Sequence, residues 1–176
     1  MRKFALFLVI FWVVIALALS SGRFIINVTE SEPFGLWFKT GKTGKTGGEI
    51  AAGDIVLVEF KYFSSINWVP DVYPARNFAG NPMPFLKRVA GLPGDLIERD
   101  DSDSGGLIRV NGVVMPDTAL LSRDSLGNEL NAFILPHRLE SGEVWLLSES
   151  PVGFDSRYLG PAKLDKCEKI IPLITF

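Results

Sequence analysis

The sequence has little cysteine and little histidine, with one of each among its 176 residues. A single cysteine, Cys167, excludes a disulfide within the chain and is typical of a small buried hydrophobic residue. With His137 as the one histidine, the chain lacks the set of His and Cys ligands from which zinc sites are built. A Ser-His-Asp triad would need His137, whose context, Leu-Pro-His-Arg, gives that role no support. We predict no metal and no cofactor.

The chain also lacks an excess of charge of one sign. Lysine and arginine together number 18 against 20 acidic residues, for a formal net charge of -2. Nucleic-acid-binding proteins carry a basic excess, so we predict no nucleic-acid partner. Residues 38–53 repeat Gly-Lys-Thr, but a phosphate loop needs a glycine five residues before that triplet, where Leu36 and Lys39 stand. The segment lacks hydrophobic periodicity, and we predict a mobile loop.

The N-terminus carries an apolar segment with basic residues before it. Arg2 and Lys3 precede an uninterrupted apolar run over residues 4–19, and the small residues Ser-Ser-Gly follow. This pattern is typical of a cleaved secretory signal or of a short uncleaved anchor helix, and both interpretations stay open. The apolar residues 24–26 continue past the cleavage position and favour the anchor. In either case the positive-inside rule places everything after residue 22 outside the cytoplasm.

The remainder of the chain is predicted to be mainly β. Residues 107–114 give the clearest signal, because Asn111-Gly112 joins two β-prone runs as a two-residue hairpin turn. Further short strands are predicted at residues 54–60, 84–90, 95–99, 143–147 and 168–176. Residues 61–82 are aromatic and irregular, and no segment after residue 22 has helical periodicity. We predict a partly closed β-barrel or coiled, packed sheets in a single domain over residues 23–176.

One serine and one lysine are candidates for catalysis. Ser31 opens the stretch Ser-Glu-Pro-Phe-Gly-Leu-Trp, and a serine hydroxyl needs a base before it becomes a nucleophile. Without a suitable histidine, the base would be a lysine whose pKa is lowered by burial. Lys87 has apolar neighbours in a predicted strand, although a solvated lysine at a strand edge fits its local context as well. Likewise, Asp155-Ser156-Arg157 fits an ordinary surface turn with a salt bridge.

Four segments taken together resemble the signal peptidase I family of Ser-Lys proteases, and most closely its short, TraF-type conjugative transfer members. Residues 27–37 match the nucleophile segment, in which transfer-type members have Ser-x-Pro-x-Gly-Leu-Tyr/Trp. Residues 53–58 match the following strand. Residues 87–95, Lys-Arg-Val-Ala-Gly-Leu-Pro-Gly-Asp, match the lysine segment almost completely, and residues 154–161 match the last segment. The four stand in the order of the family and follow an N-terminal apolar segment, as in the family. The resemblance implies the signal-peptidase fold.

The resemblance also implies roles for individual residues. Ser31 corresponds to the nucleophile and Lys87 to the general base. Thr29, with the Ser31 N–H, corresponds to the groups that face the oxyanion, while Asp155 and Arg157 would pair and support the site. Leader peptidases usually have a serine two residues before the last-segment aspartate, where this chain has Gly153. Ser156 or a water molecule would then orient Lys87, and no role is assigned to Ser148.

The implied protein is an exported, membrane-associated serine endopeptidase at the periplasmic face of a bacterial inner membrane. Its substrate would be a pilin or another exported precursor used in conjugative transfer, and its partners would include membrane lipid and other transfer proteins. Hydrolysis and transpeptidation to a circular pilin both stay open. Three alternatives remain: a general signal peptidase I that cleaves secretory leaders, a self-cleaving repressor-type Ser-Lys protease, and a non-enzymatic exported component of a transfer apparatus.

Overall fold

A computed structural model describes residues 2–42, 49–68, 80, 82–102 and 105–176. Two short 3-10 helices, at Phe60–Tyr62 and Leu164–Lys166, connect the main elements. In chain order these elements are α1 (Arg2–Ser20), β1 (Phe24–Asn27), β2 (Gly35–Lys42), β3 (Ile55–Val58), β4 (Phe85–Gly91), β5 (Leu96–Asp100), β6 (Leu107–Val110), β7 (Val113–Val114), β8 (His137–Arg138), β9 (Glu143–Leu147), α2 (Ser156–Leu159), β10 (Ala162–Lys163) and β11 (Glu168–Thr175).

The strands form two antiparallel sheets. The larger sheet has seven strands in the order β1-β2-β11-β3-β4-β9-β10, and the smaller has four in the order β7-β6-β5-β8. The prediction of a mainly β protein is therefore confirmed. The hairpin prediction is confirmed as well, since β6 and β7 pair across Asn111 and Gly112, whose φ angles of 49° and 79° are those of a tight two-residue turn.

Strand β9 connects the two largest parts of the core. Successive side chains of a strand point to opposite faces. Val144 and Leu146 accordingly pack in one apolar cluster with residues of β3 and β4, while Trp145 and Leu147 pack in a second cluster with β5 and β6. A strand that is buried on both faces requires a continuous apolar run, which is the sequence signal that predicted it.

The N-terminal segment is helical over α1. In the part of the chain that the structure describes, no helix has both the length and the apolar character needed to cross a membrane. The interpretation of residues 1–22 as a cleaved signal or a short anchor stays a prediction.

The loop predicted over residues 38–53 begins later than expected. Strand β2 continues to Lys42 and pairs with β11, with a register irregularity between Lys169 and Ile170. Long-range contacts compensate for the weak strand propensity of this Gly-, Lys- and Thr-rich segment: Lys39 pairs with Glu168 at 3.3 Å, and the Thr40 hydroxyl donates to the Lys169 carbonyl at 3.0 Å. Residues 43–48 of the predicted loop, and 69–79 and 81 of the predicted irregular stretch, lie outside the described residues.

Candidate active site

Ser31 lies in the turn between β1 and β2, and the buried side chain of Asn27 holds this turn. Asn27 ends β1, where it pairs with Gly35. Its amide nitrogen donates to the main-chain carbonyls of Thr29, Glu32 and Pro33 at 3.0, 2.6 and 3.1 Å. These bonds satisfy carbonyl groups that have no strand partner in a turn. The structure thus gives Asn27 a stabilising role in the turn that carries Ser31.

Lys87 lies on β4, and its side chain points into the protein. It pairs with Val56 of β3, and only 2% of its surface is exposed. Its Nζ lies 3.2 Å from Ser31 Oγ and 2.6 Å from Ser148 Oγ. The solvated edge lysine that the local sequence also allowed is therefore not what the structure shows.

Burial changes the acid–base chemistry of Lys87. Removal from water disfavours the ammonium form and lowers the pKa of Lys87 from 10.5 to about 8. The carboxylates of Asp155 and Glu32 oppose this decrease, and the Arg157 guanidinium adds to it. A lysine with this pKa has a substantial neutral fraction at mildly alkaline pH, and only the neutral amine can accept a proton from a serine hydroxyl.

Asp155 and Arg157 form a fully buried ion pair at the start of α2. Arg157 Nε lies 2.9 Å from Asp155 Oδ1, and the guanidinium also donates to the carbonyls of Pro151 and Gly153. Asp155 Oδ2 accepts the main-chain N–H of Ser148 at 2.9 Å. The pair therefore fixes the segment that carries Ser148, and the contacts run from Asp155 through Ser148 and Lys87 to Ser31.

Ser148 is the residue that the sequence interpretation missed. The Ser156 hydroxyl, which was expected to orient Lys87, instead accepts the Leu146 N–H of β9 at 3.0 Å. Gly153 explains why Ser148 contacts Lys87 in place of Ser156, because a Cβ at residue 153 would lie 2.3 Å from both Cβ and Oγ of Ser148. The Ser148 side chain thus occupies the space that a side chain on residue 153 would need. A glycine at 153 together with a serine just after β9 was the available signal.

Thr29 lies on the wall of the same cavity as Ser31 and Lys87, which has a volume of about 550 Å³. Its hydroxyl donates to Asn27 Oδ1 at 2.8 Å. The remaining wall is largely apolar and includes Ile26, Leu57, Phe85, Leu86 and Phe154. A mainly apolar cavity with a few convergent polar groups is typical of a ligand site.

Comparison with known proteins shows the family of the chain. The family model described as "Signal peptidase, peptidase S26" matches residues 1–171, nearly the whole chain. The chain belongs to the peptidase S26 family. It is 29% identical over 145 residues to "Conjugal transfer protein TraF" of Agrobacterium fabrum (strain C58 / ATCC 33970), covering 80% of this chain and 75% of that protein.

Two further similar proteins carry related names. "Plasmid transfer protein TraF" of Escherichia coli is 26% identical over 154 residues, covering 86% of this chain and 82% of that protein. "Probable conjugal transfer protein TraF" of Sinorhizobium fredii (strain NBRC 101917 / NGR234) is 30% identical over 145 residues, covering 80% and 70%. Among solved structures, a signal peptidase I from Enterococcus faecalis V583 matches with a TM-score of 0.42 and 20% identity, over 70% of this chain and 97% of that one.

Proposed function

We propose that this S26 family member is a serine endopeptidase in which Ser31 is the nucleophile and Lys87 the general base. The observation that carries this proposal is the 3.2 Å separation of Ser31 Oγ from the Nζ of a buried lysine. A nucleophile within hydrogen-bond reach of a base, which a third group orients in turn, is the general arrangement for covalent catalysis. Ser148 is that third group.

The reaction begins when neutral Lys87 accepts the proton of Ser31 Oγ. The oxygen attacks the scissile carbonyl carbon, and collapse of the tetrahedral intermediate breaks the C–N bond while Lys87 returns the proton to the leaving amine. An ester between Ser31 and the acyl part of the substrate remains. A second nucleophile then gives up a proton to Lys87 and attacks this ester, which releases the acyl product and restores the Ser31 hydroxyl.

Thr29 and the Ser31 N–H are the proposed donors to the oxyanion. The Thr29 hydroxyl lies on the wall of the cavity that also contains Ser31, and rotation about its Cβ–Oγ1 bond would turn the hydrogen from Asn27 toward the substrate oxygen. Removal of one such donor typically costs about 3 kcal/mol in transition-state stabilisation. Asp155 and Arg157 are proposed to act indirectly, by fixing Ser148.

The proposed substrate is the precursor of a pilin or another exported protein used in conjugative transfer. The names of the relatives support the context of transfer, and the apolar cavity supports recognition of an apolar stretch of polypeptide. We place the enzyme at the periplasmic face of the inner membrane, with residues 1–22 as signal or anchor and residues 23–176 as one peptidase domain, in contact with lipid and other transfer proteins. General cleavage of secretory leaders is the main alternative.

The test compares processing of a pilin precursor from a conjugative transfer system by the wild type, Ser31→Ala and Lys87→Ala in membranes. Both variants are expected to abolish processing while circular dichroism shows that they remain folded. Intact mass then identifies the second nucleophile, since a product lighter than the linear chain by one water shows attack by an amine. Continued processing by Lys87→Ala would overturn the proposal. Processing of secretory leaders instead of the pilin precursor would favour the alternative.

A further inference from the structure

The turn that carries Ser31 contacts strand β4 through two neighbouring residues on each side. Ser31 contacts Lys87, and the next residue, Glu32, pairs with Arg88, with Glu32 Oε2 3.0 Å from Arg88 Nη2. Consecutive side chains of a strand leave on opposite faces, so the two contacts hold the turn from both sides of β4. A shift of the turn along β4 would therefore break both contacts together.

Glu32 is an unusual residue to place next to a nucleophile. Its side chain is buried, and Oε1 has no hydrogen-bond partner among the residues that the structure describes. A buried carboxylate with one unsatisfied oxygen costs free energy, which an apolar residue of similar size would avoid. The unsatisfied carboxylate adds little to the stability of the fold, which points to a contribution of Glu32 to the site.

Arg88 connects Glu32 to the other side of Ser31. Besides Glu32, its guanidinium pairs with Glu149 and donates to the Gly53 carbonyl at 3.2 Å. The main-chain N–H of Glu149 in turn donates to the Ser31 carbonyl at 3.0 Å. The contacts thus form a ring that leaves Ser31 through Glu32 and returns to it through Glu149.

We propose that Glu32 is a positioning residue, which holds Ser31 against Lys87 through its ion pair with Arg88 and whose negative charge sets the pH range in which Lys87 acts as a base. This inference rests on the proposed function of Ser31 and Lys87. Glu32 and Arg88 lie outside the lining of the cavity that contains Ser31 and Lys87.

The charged residues around Lys87 and Glu32 support the proposed effect of Glu32 on the pH range in which Lys87 is a base. Lys87 is faced by Asp155 and Arg157 from the α2 segment and by Glu32 from the turn. Burial raises the pKa of Glu32 to about 7, with Glu149 adding to the increase and Arg88 and Lys87 opposing it.

Glu32 and Lys87 stabilise each other's charged forms, since Lys87 lowers the pKa of Glu32 and Glu32 raises the pKa of Lys87. A negative charge nearby favours the ammonium form, so the Glu32 carboxylate raises the pKa of Lys87. Removal of the charge should lower it.

The experiment measures acylation of Ser31 by a short-chain p-nitrophenyl ester as a function of pH, with the site of modification read by mass spectrometry. Acylation by the wild type is expected to rise with pH as Lys87 deprotonates. In Glu32→Gln, the rise should move to lower pH, and the plateau rate should fall by roughly tenfold because Ser31 is held less firmly. Glu32→Asp keeps the charge, so its rise should stay at the wild-type pH while its plateau falls.

Glu30→Gln is the matched control. Glu30 precedes Ser31 as Glu32 follows it, but its side chain is exposed. Its removal should change neither the pH of the rise nor the plateau. Arg88→Gln is a second variant that leaves the Glu32 carboxyl without its cation. The carboxyl should then become neutral, and the rise should again move to lower pH.

The outcomes separate the two proposals. A folded Glu32→Gln with an unchanged pH profile and plateau overturns the role of Glu32 and leaves Ser31 and Lys87 as the reacting pair. If Glu32→Gln does not fold, an unchanged profile in Arg88→Gln overturns the role in the same way. If the wild type is not acylated at Ser31, the proposed function fails, and the role of Glu32 fails with it.

Discussion

At the scale of single residues, the position of Lys87 combines two opposing demands. The side chain must lie in an apolar interior so that its ammonium form loses stability, and its nitrogen must still have polar partners. Ser31 and Ser148 are those partners, and both are neutral hydroxyls. Because these partners are neutral, they satisfy the hydrogen bonds of the nitrogen without stabilising its ammonium form. Carboxylates in their place would stabilise that form.

The first prediction concerns Ser148. In Ser148→Ala, Lys87 loses its 2.6 Å contact, and we expect acylation of Ser31 to fall by roughly 10- to 100-fold. The double variant Ser148→Gly/Gly153→Ser should restore much of the rate, because it removes both Ser148 atoms that a Cβ at residue 153 would meet and returns a hydroxyl to the position that leader peptidases use.

The single variant Gly153→Ser is the control. It should destabilise the protein, since its Cβ would meet the Ser148 side chain at 2.3 Å. Equal rates for Ser148→Ala and the double variant would show that the hydroxyl can act only from residue 148.

A second prediction concerns the cost of burying Lys87. The pKa of Lys87 is about 8 in the folded protein and 10.5 for an ordinary lysine, as in the unfolded chain. Between these pH values the unfolded state binds more protons than the folded state, so the free energy of unfolding rises with pH. At pH 7, below both pKa values, the full free-energy cost of burying the Lys87 ammonium is present. Lys87→Met should abolish acylation and raise the free energy of unfolding at pH 7 by roughly 1–3 kcal/mol, with a smaller gain at pH 10.

Urea unfolding at the two pH values measures this effect. Lys61→Met is the control, because Lys61 is exposed and its replacement should leave the free energy of unfolding nearly unchanged at either pH. A Lys87→Met variant that is less stable than the wild type at pH 7 would contradict the prediction.

At the scale of elements, the segment from β9 to α2 forms a rigid support for the site. Asp155 caps the single turn of α2 by accepting the Arg157 N–H, and the same carboxylate accepts the N–H of Ser148 at the end of β9. The guanidinium of Arg157 reaches back to the carbonyls of residues in between. A segment without regular structure is thus held by side chain to main chain bonds instead of strand pairing.

The third prediction concerns this segment. Asp155→Ala leaves the buried Arg157 without its counter-ion, which should cost about 3–5 kcal/mol of stability and remove acylation of Ser31. Glu129→Ala breaks the exposed pair with Arg123 and should cost less than about 1 kcal/mol. Urea unfolding of both variants measures the difference. Similar losses of stability in the two variants would show that the buried ion pair contributes no more to stability than the exposed one.

At the scale of the whole molecule, β9 makes the stability of the two sheets interdependent. Its alternate side chains belong to two apolar clusters, one against β3 and β4 and the other against β5 and β6. Loss of the smaller sheet would expose Trp145 and Leu147, and loss of the larger would remove the pairing partner of β9. Neither sheet should persist without the other.

The fourth prediction follows from this packing. Unfolding in urea should give coincident transitions by tryptophan fluorescence and far-ultraviolet circular dichroism, as expected for a single cooperative unit. Trp145→Ala should shift both transitions together, with a loss of about 3–5 kcal/mol. Separate transitions by the two probes would show that the sheets unfold independently and that residues 23–176 are not one domain.

Local chemistry in the sequence determined much of this protein. Runs of β-branched residues predicted β3 and β6, an apolar run predicted β9, and Asn111-Gly112 predicted the hairpin, because strand and turn preferences act over a few neighbouring residues. Motif order pointed to the S26 family. It also selected Ser31 and Lys87 as candidates, although it could not show that they meet.

Only the tertiary structure decided the contacts between distant segments. Ser31 and Lys87 are 56 residues apart, and Lys87 and Ser148 are 61 apart, so no local pattern contains either pair. Strand β2 was missed for the same reason, because its pairing with β11 outweighs its weak propensity. Ser148, in place of Ser156, contacts Lys87 because Gly153 leaves room for it, and that room exists only after the chain has folded.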